Sequence, residues 1–476
     1  MAAIDSQVFF ASIPELSAML RAKQVTAVEL ARAFGTRLAT LGPRYNALAL
    51  PLTERAIRQA KAVDGDIKRE RLRGPLQGIP YGAKDLLSVA GHPTTWGARP
   101  YAAQVFDYDA TVIQKLEHTG ALLVGKLAMV ELAGGPGYRS ASASLTGPGL
   151  NPWDRGRWSG GSSSGSAIAV AAGLAPFAIG SETSGSILTP AAYCGVTALR
   201  PTYGLVSRHG AMPLSWTLDK LGPFCRSAED CGLVLETIAG GDKHDPGSAG
   251  KSFYYTPQYA RKIGDLRIGF APVDFAEWPE DAARPALQQA LVVMRSLGAS
   301  MVETKLPDFP YGPTIGTIIA ADAASVFEPL ITSGKVEELA DQKQIAGLKA
   351  GLEIPANTYL KAMRVRRLAQ QEIFKLFLDV DVLLAPARLG PAPQISEPLD
   401  RHPDTATPKD HGLTALIPAG NLAGMPALSL PCGFAGNLPV AVQLVGPPFS
   451  ENTLLAVGKE FQSRTDWHKR KPPDVG

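Results

Sequence analysis

The sequence GGSSSGSAIAVAAGLAPFAIGSETSGSILTP occupies residues 160–190, where two Gly/Ser-rich turns flank an apolar run at 167–179. The length and small side chains of this run predict a buried helix followed by a short strand. Because glycine tolerates positive φ and the close approach of a ligand, each turn can present a serine hydroxyl in an unusual backbone geometry. One Gly/Ser cluster is typical of a linker, but two clusters around a core element are not.

Length and composition indicate a large, well-packed protein. The chain has 476 residues, of which 45% are hydrophobic and 19% are charged. Its 48 glycines and 39 prolines are spread along the sequence, which favours many turns between short elements over disorder. Strand and helix patterns alternate, so we predict an α/β fold. Neither a linker nor a repeat divides residues 1–476, and we expect a single domain.

The charge and cysteine content argue against several classes of partner. A net charge of +3 is too small to predict binding to nucleic acid or to a membrane surface. No secretory pattern opens the sequence, and no apolar run reaches the ~18 residues of a membrane span. The four cysteines show no metal-ligand spacing with histidine. We therefore expect a cytoplasmic protein with reduced thiols, no metal and no other cofactor.

Hydrophobic periodicity and capping residues predict the elements around residues 160–190. Helices are predicted after caps at Ser12 and Thr26, and over 47–64, 111–120, 226–238, 282–297 and 451–463. Strands are predicted within 74–85, 121–125, 196–199, 203–206, 265–270, 300–304, 380–386, 427–431 and 440–446. Residues 1–65 then form an N-terminal helical segment and 66–240 a catalytic core. Residues 306–360 read as apolar helices and are a candidate substrate funnel or lid.

Two catalytic motifs match only in part. Residues 120–127, GALLVGKL, are close to a phosphate-binding P-loop, but the motif requires a flexible loop and a final Ser or Thr. Residues 161–165, GSSSG, fit the G-x-S-x-G nucleophile elbow of α/β-hydrolases, with Ser163 as nucleophile. The elbow needs a strand directly before it, whereas 151–159 read as a polar loop. His402 or His411 would complete its triad, so an esterase of this type stays open as an alternative.

A third arrangement joins Lys84, Ser162 and Ser186. A serine hydroxyl is a weak nucleophile until an adjacent base removes its proton. Lysine is such a base only when neutral, which requires burial to lower its pKa from ~10.4. Lys84 ends the apolar stretch 79–84, and a serine between lysine and nucleophile would relay the proton. The alternative is that Lys84 forms a surface ion pair with Asp85.

The chain resembles the amidase signature family from end to end. The matching segments are GIPYGAKDLL (78–87), NPWD (151–154), GGSSSGSA (160–167), GSETSGSILTPAAYCG (180–195), PTYGLVSRHG (201–210) and LPVAVQLVGPPFSE (438–451). The resemblance implies one mixed sheet of about eleven strands with helices on both faces.

The resemblance also implies a Ser–cis-Ser–Lys triad. Ser186 is then the nucleophile, Ser162 the bridging serine after a cis peptide from Gly161, and Lys84 the base, with Ser163 as a supporting hydrogen bonder. The oxyanion hole is implied to be four backbone N–H groups: those of Thr183, Ser184, Gly185 and Ser186.

Two positions depart from the commonest family sequence, which has glycine at Ser184 and arginine at Leu188. Ser184 keeps its N–H, whereas Leu188 removes a cation. We therefore expect a stand-alone monomer or homodimer that cleaves neutral aryl or apolar amides through an acyl-enzyme, with carbamates (urethanes) and esters as further candidates. The glutamine-hydrolysing subunit of a tRNA-dependent amidotransferase is the alternative. Five apolar residues either line the expected funnel or belong to the core: Ile315, Ile318, Ile319, Val326 and Phe327.

Overall fold

The computed structural model describes residues 5–400 and 412–475. Eleven of the described strands form one mixed sheet, which confirms the predicted α/β fold. From edge to edge its strands are β1 (Leu48–Pro51), β3 (Leu122–Leu127), β2 (Pro80–Lys84), β6 (Phe177–Glu182), β8 (Lys220–Cys225), β7 (Thr197–Arg200), β12 (Ala427–Ala435), β13 (Leu438–Val445), β11 (Val382–Pro386), β9 (Arg267–Phe270) and β10 (Ser300–Glu303). Strands β4 (Leu150–Asn151) and β5 (Asp154–Trp158) pair in a separate hairpin.

Helices flank this sheet. They are α1 (Ile13–Arg21), α2 (Ala27–Leu41), α3 (Thr53–Lys68), α4 (Thr111–His118), α5 (Ser164–Ala171), α6 (Leu188–Cys194), α7 (Ala228–Ile238), α8 (Val273–Ala276), α9 (Arg284–Ser296), α10 (Tyr311–Val326), α11 (Glu328–Thr332), α12 (Gln342–Leu352), α13 (Ala356–Leu376), α14 (Leu416–Leu422) and α15 (Glu451–Ser463). Strands β2, β3, β6 and β8 are buried along their whole length, which requires cover on both faces. Of the helices in the described ranges, none has the length and apolar character needed to cross a bilayer.

The register of β2 and β6 determines where the two serine turns meet. The strands are parallel neighbours, with Ala83 opposite Ile179. Their carboxyl ends therefore lie at the same edge of the sheet, where α/β proteins commonly place their sites. Lys84 is the last residue of β2 and Glu182 the last of β6. The predicted helix followed by a strand is confirmed as α5 and β6.

Several other predicted elements are confirmed. Ser12 and Thr26 form capping boxes at the starts of α1 and α2. Helix α9 connects β9 to β10, which run parallel, as the pattern at 265–304 predicts.

Three local predictions are wrong, and one strand is not predicted. Residues 47–64 are not one helix, because Leu48–Pro51 pairs with β3 and α3 begins only at Thr53. The Leu and Ala residues of that strand favour a helix, and pairing with the sheet overrides this preference. Residues 203–206 form turns, with a single bridge from Val206 to Ala239. Residues 151–159 contain the β4–β5 hairpin rather than a polar loop. No strand is predicted over Lys220–Cys225, because glycine and proline interrupt the sequence KLGPFC. The structure nevertheless has strand β8 there.

Candidate active site

Lys84 is buried in a cluster of serine hydroxyls. Its side chain is fully removed from solvent, and Nζ lies 2.7 Å from Ser162 Oγ, 2.9 Å from Ser181 Oγ and 3.0 Å from Ser163 Oγ. Asp85 instead forms a buried ion pair with Lys126, in which Nζ and Oδ1 are 2.7 Å apart. The alternative of a surface ion pair between Lys84 and Asp85 is therefore wrong.

Burial makes Lys84 suitable as a base. Desolvation lowers its pKa to about 7, against the opposing effect of the negative charges of Asp219 and Glu182. The Lys84 side chain is thus neutral in a large fraction of the molecules near neutral pH. A neutral amine next to a hydroxyl can accept the proton of that hydroxyl.

Ser162 and Ser163 lie in the turn before α5. The peptide bond between Gly161 and Ser162 is cis, as the family resemblance implies. A Cβ atom at Gly161 would lie 2.6 Å from Val130 Cγ2 and 2.9 Å from Tyr138 Oη, so only glycine fits there. This packing fixes the turn that presents Ser162 to Lys84.

The Ser163 hydroxyl faces the interior. Its Oγ donates to the carbonyl of Ser181 at 3.1 Å and accepts the N–H of Ser181 at 3.2 Å, and the residue is fully buried. These contacts favour a supporting role over nucleophilic attack. His402 and His411, the candidate partners in an elbow triad, lie outside the described residues.

Ser186 lies on the wall of a cavity. Residues 183–186 line this space of about 370 Å³, and Ser186 remains 9% exposed. The N–H groups of Thr183, Ser184, Gly185 and Ser186 donate to no acceptor in the described ranges, so they are available to an oxyanion. The carbonyl of Ser186 accepts the N–H of Ser163 at 3.3 Å, which joins the two turns. No hydrogen bond links the Ser162 and Ser186 hydroxyls among these residues, so that step of the relay stays a prediction.

Glu182 fixes the turn that carries Ser186. Its carboxylate accepts the N–H groups of Ile187 at 2.8 Å and Leu188 at 3.0 Å, at the start of α6. It also accepts from Arg200 Nη1 and Asn421 Nδ2, each at 2.8 Å. Although burial opposes its charge, Arg200 and the hydrogen bonds lower the pKa of Glu182 to about 2. The local sequence around Glu182 does not indicate this role, because its side-chain partners Arg200 and Asn421 lie 18 and 239 residues away.

The cavity extends beyond the serine turns. Its other lining residues are Ala133, Gly134, Gly135, Pro136, Gly137, Tyr138, Trp158, Gly161, Thr189, Leu214, Gly316, Ile319, Arg388 and Leu399. Tyr138 packs edge-to-face on Trp158 with ring centroids 5.9 Å apart, and Trp158 on Tyr193 at 6.3 Å. The Arg388 guanidinium lies 5.8 Å from the centroid of Tyr193, and its Nε donates to the hydroxyl of that tyrosine at 3.3 Å. Tyr138, Trp158 and Arg388 at the cavity wall are thus linked through the buried ring of Tyr193.

The cavity differs from the one expected. Of the five apolar residues assigned to a funnel, Ile319 lines it, whereas the other four pack in or against the core. Leu188 is fully buried and belongs to the core cluster that contains Leu218 and Ile417. Leu188 supplies no cation beside the nucleophile, but Arg388 supplies one at another part of the cavity wall.

Metal-binding side chains are not grouped at this site. The described residues contain no cluster of three or more His, Cys, Asp or Glu side chains placed to hold a metal ion. Each of the four cysteines is a buried free thiol.

Comparison with known proteins identifies the family. The family model named Amidase matches residues 29–455, which include Lys84 and both serine turns. The chain belongs to the amidase signature family. It is 36% identical to a glutamyl-tRNA(Gln) amidotransferase subunit of Carboxydothermus hydrogenoformans, over 98% of this chain and 99% of that protein.

Solved structures of two kinds superpose on this amidase. Peptide amidase from Stenotrophomonas maltophilia has a TM-score of 0.85 and 31% identity, with 98% of each chain covered. The corresponding glutamyl-tRNA(Gln) amidotransferase subunit of Thermotoga maritima has a TM-score of 0.80 and 27% identity, with 100% of each chain covered. The chain is therefore a C–N hydrolase of the amidase signature type, and its substrate has to be argued from its own cavity.

Proposed function

We propose that this amidase cleaves amides by acyl transfer to Ser186. The observation that carries the proposal is the buried Lys84 Nζ, 2.7 Å from Ser162 Oγ and beside a turn with free N–H donors. Ser186 Oγ attacks the substrate carbonyl carbon, and its proton passes through Ser162 to Lys84. The N–H groups of residues 183–186 bind the oxyanion that forms.

The same relay then runs backwards. The Lys84 ammonium returns its proton through Ser162 to the substrate nitrogen, the C–N bond breaks and the amine leaves. A water molecule attacks the acyl–Ser186 ester, and its proton passes to Lys84 by the same route. Cleavage of this second tetrahedral intermediate releases the acid and restores the Ser186 hydroxyl.

The preferred substrate is an amide with an anionic group on its acyl part. Arg388 provides the planar guanidinium that binds carboxylates well, and its described contacts are made with Tyr193. Glutamine has this chemistry, with a carboxamide at one end and a carboxylate at the other. The curated relatives support the same class of substrate, because their name describes amidotransferase subunits. They therefore favour the glutamine-hydrolysing alternative over a stand-alone enzyme for neutral amides.

A second candidate is a neutral aryl or apolar amide, or an aryl carbamate. Tyr138, Trp158 and Ile319 offer apolar surface to such a group in the same cavity. A carbamate passes through the same kind of tetrahedral oxyanion, so the triad needs no additional group to cleave it.

A comparison of kcat/KM for free glutamine, 4-nitroacetanilide and an aryl carbamate separates the two candidates. We expect glutamine to be the best of the three and its turnover to disappear in Ser186→Ala. A higher kcat/KM for the anilide or the carbamate would instead establish the neutral substrate class. Turnover that persists in Ser186→Ala would refute the proposed nucleophile.

A further inference from the structure

Asp219 is a buried carboxylate behind the turn that carries Ser186. It directly precedes β8 and is 9% exposed. Its Oδ1 accepts from Thr183 Oγ1 at 2.6 Å, and its Oδ2 accepts the N–H groups of Leu214 at 2.8 Å and Ser215 at 2.9 Å. Burial raises the pKa of Asp219, and the three hydrogen bonds that its carboxylate oxygens accept act against this effect by stabilising the charged form.

A small pocket lies beside Asp219 and reaches Ser181, one of the hydroxyls that contact Lys84. It has a volume of about 30 Å³, and Ser181, Thr183 and Asp219 are among its lining residues. Ser181 Oγ is 2.9 Å from Lys84 Nζ, so this pocket borders the base on one side and the carboxylate on the other. A space of this size accommodates one or two water molecules, for which at least about 10 Å³ each is needed.

The other charged groups around Lys84 are paired elsewhere. Glu182 is bonded to Arg200, with Nη1 and Oε1 2.8 Å apart. Arg208, at the rim of the small pocket, is paired with Asp245 at 2.7 Å. Lys220 Nζ donates to the carbonyl of Leu218.

No ion pair in the described ranges neutralises Asp219 directly, and desolvation lowers the pKa of the neighbouring, buried Lys220 well below its usual value. The negative charge of Asp219 raises the pKa of Lys84 against the larger effect of burial.

We propose that Asp219 is a positioning residue for the reaction: it holds Thr183 beside the oxyanion turn and supplies the negative charge that keeps the transferred proton on Lys84. This inference rests on the proposed function of Ser186. A base without such a charge would lose its proton too readily after attack. The carboxylate therefore couples the placement of the oxyanion turn to the protonation of Lys84.

The test uses the rate at which a fluorophosphonate labels the full-length protein as a function of pH. In this reaction Ser186 Oγ forms a bond to phosphorus, fluoride leaves, and the serine proton passes to Lys84, so the natural substrate is not needed. We expect the wild-type rate to rise with pH and Asp219→Asn to shift the midpoint down by about one pH unit, since it removes the charge that favours the ammonium. The plateau rate of Asp219→Asn should also fall, because a carboxamide has one acceptor oxygen and cannot accept from both Thr183 and the N–H groups of residues 214 and 215.

Three further variants separate charge from structure. Asp219→Glu keeps the charge but displaces Thr183, so we expect a wild-type midpoint with a lower plateau, and the same result for Thr183→Val. Asp322→Asn is the matched control. Asp322 accepts from Ser215 Oγ at 2.6 Å, whereas Asp219 accepts from the backbone N–H of the same serine. Removal of the Asp322 charge should leave the midpoint unchanged. Circular dichroism verifies that each variant is folded.

The outcomes distinguish the two proposals. An Asp219→Asn midpoint equal to that of the wild type would overturn the role of Asp219. If Asp219→Asn does not fold, a downward shift in Asp219→Glu or Thr183→Val would overturn it, and unshifted midpoints in both would support it. Failure of the wild type to be labelled, or labelling of Ser186→Ala, would overturn the nucleophile and this inference with it.

Discussion

Lys84 Nζ lies 2.7 Å from Ser162 Oγ at a point that solvent does not reach. The same nitrogen also contacts the hydroxyls of Ser163 and Ser181, so its neighbours are neutral oxygens rather than a carboxylate. An ammonium in such a place is poorly stabilised, which is why the base is available near neutral pH.

Replacement of Ser186 by alanine should abolish turnover and leave the fold intact. Loss of a triad nucleophile typically reduces kcat by about 10⁴–10⁶-fold, and the change removes one oxygen at the cavity wall. Steady-state kinetics with the best substrate of the panel measures the loss. Ser184→Ala is the matched control in the same turn, because its backbone N–H is retained and its activity should stay close to that of the wild type. An active Ser186→Ala combined with an inactive Ser163→Ala would support the nucleophile elbow instead.

The pH dependence should report the titration of Lys84. Only the neutral amine accepts the serine proton, so kcat/KM should rise with pH through an apparent pKa of about 7 and level off above it. Lys84→Ala should lose most activity across the whole range. The measurement is a profile of kcat/KM from mildly acidic to alkaline pH, with enzyme stability verified at each point. A flat wild-type profile would count against lysine as the base.

The sequence predicts the reacting groups better than the walls of the site. Lys84, Ser162 and Ser186 stand in segments whose residue types are restricted by chemistry, so the family resemblance locates them. Ser181 lies in the same Gly/Ser-rich turn as Ser186, and nothing beside it in the sequence singles it out. Only the side-by-side placement of β2 and β6 brings it to Lys84.

Residues that act through long-range packing cannot be found in this way. Arg388 lies in the loop after β11. Its side chain is positioned by a hydrogen bond to Tyr193, which lies 195 residues away in the sequence. The position of Leu188 beside the nucleophile suggests a substrate determinant. Its side chain instead packs in the core, and no local pattern indicates which direction it takes.

Glu182 and Arg200 should prove important for stability. Glu182→Gln leaves the buried Arg200 without its charged partner, and breaking a buried pair from one side typically destabilises a protein by about 3–5 kcal/mol. Urea unfolding measures the change, and activity should fall because Glu182 also holds the N–H groups of Ile187 and Leu188. The double variant Glu182→Gln/Arg200→Met removes the unpaired charge and should regain part of the stability. A single variant as stable as the wild type would show that the pair is unimportant.

Arg388 should determine which acyl groups the enzyme prefers. A hydrogen bond to a charged group typically contributes about 1.5–3 kcal/mol, so Arg388→Ala should lower kcat/KM for glutamine by roughly 10–150-fold. Arg388→Lys should recover only part of this loss, because an ammonium cannot make the two parallel hydrogen bonds of a guanidinium. The anilide has no carboxylate, and its kcat/KM should change little in either variant. Arg464, exposed directly after α15 and paired with Glu460, supplies the control variant Arg464→Ala, for which both substrates should behave as in the wild type. An equal loss for glutamine and anilide would mean that Arg388 only supports Tyr193 in the cavity wall, and the argument for an anionic substrate would then fail.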